Sequence, residues 1–112
     1  MIKRLFILFI FLCFSTPTFA AVLYVDNTAT GQNDGTSWTD AWEALSDCTG
    51  LSADDIVYIS GGSTASSQTY NVDINGSYPG QWLNVTNGVT YKIGQDASHN
   101  GTVIFDGMGG DY

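Results

Sequence analysis

The fold is decided by a segment that begins with Asn33-Asp34-Gly35-Thr36-Ser37-Trp38 and ends with Asp54-Asp55-Ile56-Val57-Tyr58-Ile59. Successive side chains of an extended strand point to opposite faces, so Ile56 and Tyr58 share one face and Val57 and Ile59 share the other. Such continuous apolarity indicates burial on both faces, as in parallel sheets. We therefore predict a central strand over residues 55–60 that needs cover on two sides.

The residues between these two ends are the nearest in sequence that could cover the central strand. Apolar side chains recur at i, i+4 and i+7, which is the spacing of one helical face: Trp38, Trp42 and Leu45. Ser37 and Asp40 fit a capping box in which Asp replaces Glu or Gln. The pattern predicts an amphipathic helix that starts near Ser37 and ends near Cys48.

Short runs of β-branched and aromatic residues, bounded by Gly, Pro and Asn turns, predict five more strands. They are Val22–Val25, Tyr70–Ile74, Trp82–Thr86, Val89–Ile93 and Thr102–Phe105. The sequence therefore predicts an all-β chain with a single helix.

The N-terminus has the composition of an export signal. Lys3 and Arg4 precede an apolar run of about ten residues, too short to span a bilayer of roughly 30 Å as a helix. Thr18 and Ala20 are small residues at the positions that a signal peptidase reads. We predict a signal peptide over residues 1–20, cleavage after Ala20, and a secreted protein that is extracellular or on the cell surface.

The chain that remains after this cleavage is strongly acidic. Residues 21–112 hold eleven carboxylates and one cation, Lys92, which gives a formal charge of −10. Such a surface repels phosphate backbones and anionic lipid head groups, so we expect no nucleic-acid partner and no membrane partner. Cys48 is the single cysteine of these residues, so stability must come from packing or repetition instead of an internal disulfide.

The order of these features resembles that of a known family, the right-handed parallel β-helix proteins of the pectate-lyase-like superfamily. The N-terminal likeness is carried by Tyr24-Val25-Asp26, Asn33-Asp34-Gly35-Thr36-Ser37-Trp38, Ala41-Trp42, Leu45 and Asp55-Ile56-Val57-Tyr58-Ile59. Strands of the second coil are matched by Tyr91-Lys92-Ile93-Gly94 and Val103-Ile104-Phe105-Asp106-Gly107. In that family a helix caps the open end of the solenoid.

The resemblance implies two segments after the signal peptide. Residues 21–53 would hold the first strand, a loop and the capping helix, and residues 54–112 would form the first coils. Stacked coils bury one another, and about three or more are needed for stability. We therefore expect these residues to be the N-terminal part of a longer β-helix, of which they form only the first coils.

One stretch predicts a different arrangement. Asn87-Gly88, between Val85-Thr86 and Val89-Thr90, is a strong signal for a type I′ hairpin. Residues 82–93 would then pair antiparallel, and the fold would be a small antiparallel β-sandwich. In a parallel β-helix the same Asn-Gly pair is a corner between strands of different sheets.

The resemblance also implies a function: binding or cleaving extracellular polysaccharide, with calcium held by carboxylates in some family enzymes. Catalysis in the family lies on the middle coils, so we expect no catalytic residue within these 112 residues. Two alternatives stay open. The chain would be a non-catalytic adhesin or surface solenoid, or, if the fold is a sandwich, a small carbohydrate-binding module.

Few side chains are candidates for chemistry. The sequence predicts no metal site; Asp26, Asp34 and Asp106 are the nearest candidates, because calcium prefers oxygen ligands, but Asx turns are the simpler explanation of the first two. Lys92 is expected to be a solvated strand residue, and His99 has no serine or cysteine partner in a recognisable motif.

Three sequons provide candidate glycosylation sites in a secreted protein: Asn75, Asn84 and Asn100. Two of them coincide with Asn-Gly turns, which explain those asparagines without a glycan.

Overall fold

The computed structural model describes residues 19–72 and 86–107, so the predicted signal segment up to Thr18 lies outside the described residues. In these residues the chain is all-β. The strands are β1 (Val22–Val25), β2 (Ile56–Ile59), β3 (Ser67–Asn71), β4 (Thr90–Ile93) and β5 (Thr102–Asp106). Within the two described ranges, no helix is long and apolar enough to cross a membrane.

The strands form two parallel sheets. One sheet has the order β1-β2-β4, and the other pairs β3 with β5. Val22, Ile56 and Thr90 are direct partners in the first sheet, so neighbouring strands there are separated by 34 residues in sequence. Ser67 pairs with Thr102 in the second sheet, a separation of 35 residues. The chain thus passes from the first sheet to the second twice in the same order.

Side chains from both sheets meet in one apolar cluster. Its buried members are Val25, Trp42, Leu45, Cys48, Val57, Ile59, Tyr70 and Val72. The Tyr70 hydroxyl donates a 2.8 Å hydrogen bond to the Ser60 carbonyl, which satisfies a polar group inside the cluster. Burial raises the pKa of the Cys48 thiol to about 12.

Four of the predicted strands are confirmed in the residues that the structure describes. β1, β2, β4 and β5 begin and end within one residue of their predicted bounds, whereas β3 begins at Ser67 instead of Tyr70. The predicted burial of both faces of β2 is confirmed in part, because Val57 and Ile59 are buried and Ile56 and Tyr58 are half-buried. Residues 82–85 of the remaining predicted strand lie outside the described part of the chain.

The antiparallel sandwich is wrong for the described residues, because every strand pairing there is parallel. β4 pairs parallel with β2, although it follows the Asn87-Gly88 turn directly. A type I′ turn needs positive φ at both central residues, whereas only Gly88 has it, at φ 86°. The Val89 amide donates a hydrogen bond to the Thr86 carbonyl, so Asn87-Gly88 forms a corner between them. Gly88 is the third residue of this four-residue turn, where type II turns require glycine.

The predicted helix over residues 37–48 is also wrong. Only Leu45–Asp47 forms a 3-10 turn there. The segment instead pairs with the open edge of β1: the Trp42 amide donates to the Tyr24 carbonyl at 3.0 Å, and the Asp26 amide donates to the Trp42 carbonyl at 2.9 Å. These tertiary bonds satisfy the backbone groups that a helix would have paired internally.

The local features that suggested the helix are nevertheless present. The Asp40 amide donates to Ser37 Oγ at 3.0 Å, as in a capping box, but the bond closes a loop. Trp38 and Trp42 do not share a face: Trp42 is buried in the core, and Trp38 is half-buried on the outside. Gly35, at φ 77°, lies against the Trp42 ring, where a Cβ would collide with the indole.

Two corners of the chain stack at close range. The corner after β2 and the corner before β5 are joined by hydrogen bonds from the Gly61 amide to the His99 carbonyl at 3.0 Å and from the Gly101 amide to the Gly62 carbonyl at 2.9 Å. A Cβ on Gly61 would collide with the Gly101 carbonyl, and a Cβ on Gly101 would collide with the Gly61 carbonyl. Both positions therefore require glycine.

Replacing Gly61 or Gly101 by alanine is expected to lower the free energy of unfolding by about 1–3 kcal/mol, because the opposing atoms are backbone and cannot move alone. Gly107→Ala is the matched control, since a Cβ there meets nothing within 4 Å. Urea unfolding followed by tryptophan fluorescence measures each value. Equal stability of all three variants would contradict the close approach of the corners.

Candidate functional site

A buried carboxylate follows β1 directly. Asp26 is 6% exposed. Its Oδ1 accepts hydrogen bonds from the Thr28 amide at 2.9 Å, the Thr28 hydroxyl at 2.7 Å and Gln68 Nε2 at 3.2 Å. The two bonds from Thr28 make an Asx turn, and the bond from Gln68 reaches across from β3 in the second sheet. Asp26 therefore ties the loop after β1 to both sheets.

The Asp26 carboxyl is ionised at neutral pH. Burial raises its pKa, but hydrogen bonds from the side chain and backbone of Thr28, from Ser60 and from Gln68 together outweigh burial and lower the pKa below its ordinary value. Donors that point at a carboxylate favour its charged form. The site thus holds a fixed negative charge whose position is set by four surrounding groups.

An imidazole lies beside this carboxylate. His99, in the corner between β4 and β5, has Nε2 3.7 Å from Asp26 Oδ2, which is beyond hydrogen-bond length. On its other side, His99 Nδ1 lies 2.6 Å from Asp96 Oδ1. The hydrogen bond from His99 is the main reason that the pKa of Asp96 is lowered. Asp96 therefore orients the ring so that Nε2 is directed toward Asp26.

An indole stacks on one face of the imidazole. The His99 ring stacks on the Trp38 indole, with centroids 3.8 Å apart and planes 5° from parallel. Trp38 in turn contacts Tyr24 at a centroid distance of 4.7 Å, and Tyr24 lies 6.2 Å from Tyr58, its partner in the sheet. The tryptophan therefore has one face stacked on His99 and a tilted contact with Tyr24.

These residues border an open groove of about 320 Å³ on the outside of the molecule. It is lined by Asp26, Thr28, Ala29, Thr30, Trp38, Thr39 and His99. The lining combines one carboxylate, three hydroxyls, one imidazole and one indole. Such groups can exchange hydrogen bonds with a hydroxyl-rich ligand.

The metal candidates do not form a shared site in the described residues. Asp26 Oδ1 is occupied by Thr28 and Gln68, and Asp34 Oδ1 accepts from the Thr36 amide and hydroxyl at 2.9 and 2.7 Å. Asp106 ends β5, paired with Asn71. Across residues 19–72 and 86–107, no group of three His, Cys, Asp or Glu side chains could hold a metal ion.

The other predicted residues lie apart from the groove. Asn100 is exposed, and its Oδ1 accepts a 2.8 Å hydrogen bond from the Thr64 hydroxyl, while Asn75 and Asn84 lie outside the described residues. Lys92 is exposed on β4, in register with Tyr58. Ala20, the last residue of the predicted signal peptide, is exposed as well.

Sequence reasoning did not identify His99 and Trp38 as neighbours of Asp26. One local signal was available: Asp96 and His99 are three residues apart in a turn-rich segment, and that spacing lets the carboxylate bond the ring. The contact with Trp38 has no local signal, because it depends on how the corner stacks against the loop after β1.

Comparison of the chain with protein-family models, curated protein sequences and solved structures finds no match.

Replacing Asp26 by asparagine is expected to lower the free energy of unfolding by about 1–3 kcal/mol at pH 7, because buried hydrogen bonds to a charged acceptor become neutral ones. Since the folded pKa of Asp26 is lowered, its contribution is present above its ordinary pKa and is lost as the pH falls through the folded pKa. The difference between the two proteins should therefore shrink in acid. Chemical unfolding between pH 3 and pH 7 measures it.

Asp34→Asn is the matched control. Asp34 makes the same two bonds to a threonine two residues on, at the same lengths, but it is exposed. We expect a smaller cost for this variant. An equal cost at both positions would show that burial and the bond from Gln68 contribute nothing at Asp26.

Proposed function

We propose that the chain forms the first coils of a right-handed parallel β-helix that is exported and binds extracellular polysaccharide through the groove around Asp26. The observation that carries this proposal is the parallel pairing of β1, β2 and β4 at a constant separation of 34 residues, with a second parallel pair at 35 residues. A coil of near-constant length repeats because each turn stacks on the one before it.

The exposure of inner-face residues supports the solenoid. Ile93 is the register partner of buried Ile59, and Phe105 is the partner of buried Tyr70. Their side chains are 47% and 51% exposed, and with Tyr91 and Val103 they border a small apolar cavity. In a stacked coil these side chains are the ones that the next coil covers.

The chemistry of the groove supports a sugar ligand. Polysaccharides present many hydroxyls, and the groove offers an ionised carboxylate and the hydroxyls of Thr30 and Thr39 beside an imidazole. A sugar hydroxyl that donates to Asp26 Oδ2 would also lie beside His99 Nε2, which is 3.7 Å away. The binding is expected to use these polar contacts more than ring stacking, because Trp38 is already packed against His99 and Tyr24.

The charge of the site favours a neutral polysaccharide over a polyuronate. A uronate carboxylate would approach the ionised Asp26 within a chain segment of formal charge −10. Binding of a neutral chain at this groove is in keeping with a non-catalytic surface solenoid.

Export is the remaining part of the proposal, and it is supported by residues 1–20 alone. Their basic start, short apolar run and small residues before Ala21 are typical of a signal peptide. An extracellular location would give the groove access to polysaccharide.

Affinity electrophoresis of the protein in gels of xylan, mannan, a β-glucan, pectate and alginate tests the function. We expect retention by a neutral polymer and none by pectate or alginate, with or without calcium. Thr39→Val should weaken retention about 2- to 10-fold, because it removes one hydroxyl that lines the groove. Thr49→Val is the matched control, since Thr49 is exposed but does not line the groove.

Three results would contradict the proposal. Retention by no polymer would reject the sugar ligand, and equal effects of the two valine variants would reject the groove as its site. Release of unsaturated or reducing-end products from pectate or alginate would replace binding by catalysis.

A further inference from the structure

We propose that removal of the signal peptide after Ala20 creates an ion pair between the new α-amino group of Ala21 and the buried carboxylate of Asp55. The ion pair would strengthen the attachment of β1 to the rest of the fold. The inference rests on the proposed export, but the geometry that carries it lies in the described residues.

The Asp55 carboxylate is held at both oxygens. Oδ1 accepts a 2.7 Å hydrogen bond from the Ala21 nitrogen, and Oδ2 accepts a 2.7 Å bond from the Ser52 amide. Asp55 is 5% exposed. The Ala21 carbonyl in turn accepts a 2.9 Å bond from the Ile56 amide, so Ala21 is the first residue bound to β2. The nitrogen bonded to Asp55 is therefore the one that cleavage after Ala20 would convert from a peptide N–H into a free amine.

Two independent observations identify the same peptide bond. The sequence places the scissile bond after Ala20, from the small residues at Thr18 and Ala20. In the structure Phe19 is 87% exposed and Ala20 and Ala21 are exposed, but the Ala21 nitrogen and carbonyl make the hydrogen bonds just described. A protease can reach the bond at the point where the attachment of the chain to the fold begins.

Cleavage changes the chemistry of this contact. Water adds across the Ala20–Ala21 peptide bond; its hydroxyl goes to the Ala20 carbonyl carbon and a hydrogen goes to the Ala21 nitrogen. The Ala20 acid then releases a proton, and the Ala21 amine takes one up, since α-amino groups have a pKa of about 7.7–8.0. One neutral N–H donor to Asp55 becomes an ammonium, and charge-assisted hydrogen bonds of this kind are roughly twice as strong as neutral ones.

Few other charges act on this pair in the described residues. Asp54, next to Asp55, is exposed, and its amide bonds the Gly88 carbonyl. The packed segment from Thr86 to Thr90 carries no titratable side chain, and neither does β1 before Tyr24. The pKa of Asp55 is lowered, first by the bond from Ser52 and then by the bond from Ala21. Asp55 is therefore the main charged partner of the new amine.

The test uses the full chain with residues 15–20 replaced by the recognition sequence of a protease that cuts directly before Ala21. The folded protein is studied before and after the cut. We expect the Ala21 α-amine, followed by NMR of a ¹⁵N-labelled sample, to titrate about one pKa unit or more above its ordinary value, which corresponds to an about tenfold gain in the folded-to-unfolded ratio. Because the folded pKa is raised, this gain is complete below the ordinary pKa and is lost as the pH rises through the folded value.

Asp55→Asn should return the amine to its ordinary pKa, and Asp54→Asn, the same change one residue earlier, should not. If Asp55→Asn does not fold, the cut native chain with an acetylated Ala21 provides the second measurement, because acetylation keeps the N–H and removes the charge. The acetylated protein should lack the gain of about tenfold in the folded-to-unfolded ratio at pH 6, and at high pH its stability should equal that of the protein with the free amine.

An ordinary amine pKa in the native protein, or equal stability of the acetylated and free chains at pH 6, would overturn the ion pair. Export of the natural chain followed by N-terminal mass analysis tests the processing step separately. A secreted product that begins at a residue other than Ala21 would overturn that step even if the amine pKa is raised. Neither result depends on whether a polysaccharide binds.

Discussion

The interaction on which the rest of the structure depends is parallel backbone pairing at a constant separation of 34 residues. In neighbouring parallel strands, partners share a direction and a face, so each strand presents its side chains in line with those of the strand beside it. Two rows of side chains result. The inner row is Val25, Ile59 and Ile93, and the outer row is Tyr24, Tyr58 and Lys92. The same constraint stacks the corners, which is why two glycines face each other there.

The sequence predicts strands better than it predicts the segment that covers them. Continuous apolarity from Ile56 to Ile59 was sufficient to place β2 and to indicate a parallel sheet, because that pattern reports burial directly. The spacing of Trp38 and Trp42 suggested a helix, yet both rings are held by tertiary contacts on different sides of the loop. A period read over three apolar residues cannot tell a helical face from a loop that crosses the edge of a strand.

The candidate site was predictable only in its local parts. An Asp followed two residues later by Thr is a turn signal, and Asp26 and Asp34 both form that turn. What distinguishes Asp26 is long-range: Gln68 from the second sheet and His99 from a later corner both approach it. Those contacts follow from the register of the paired strands, which no short stretch of sequence encodes. The glycine requirement at position 61 has the same origin.

The burial of Cys48 has a consequence for the behaviour of the protein in oxidising solution. Thiol–disulfide exchange proceeds through the thiolate, and burial raises the pKa of this thiol to about 12, so the reactive form is scarce while the core is closed. Two molecules cannot then become covalently joined through it unless the core opens. The thiol is thus unreactive in the native state and becomes able to form intermolecular disulfides on denaturation, so refolding before exposure to an oxidant is important for recovering single chains.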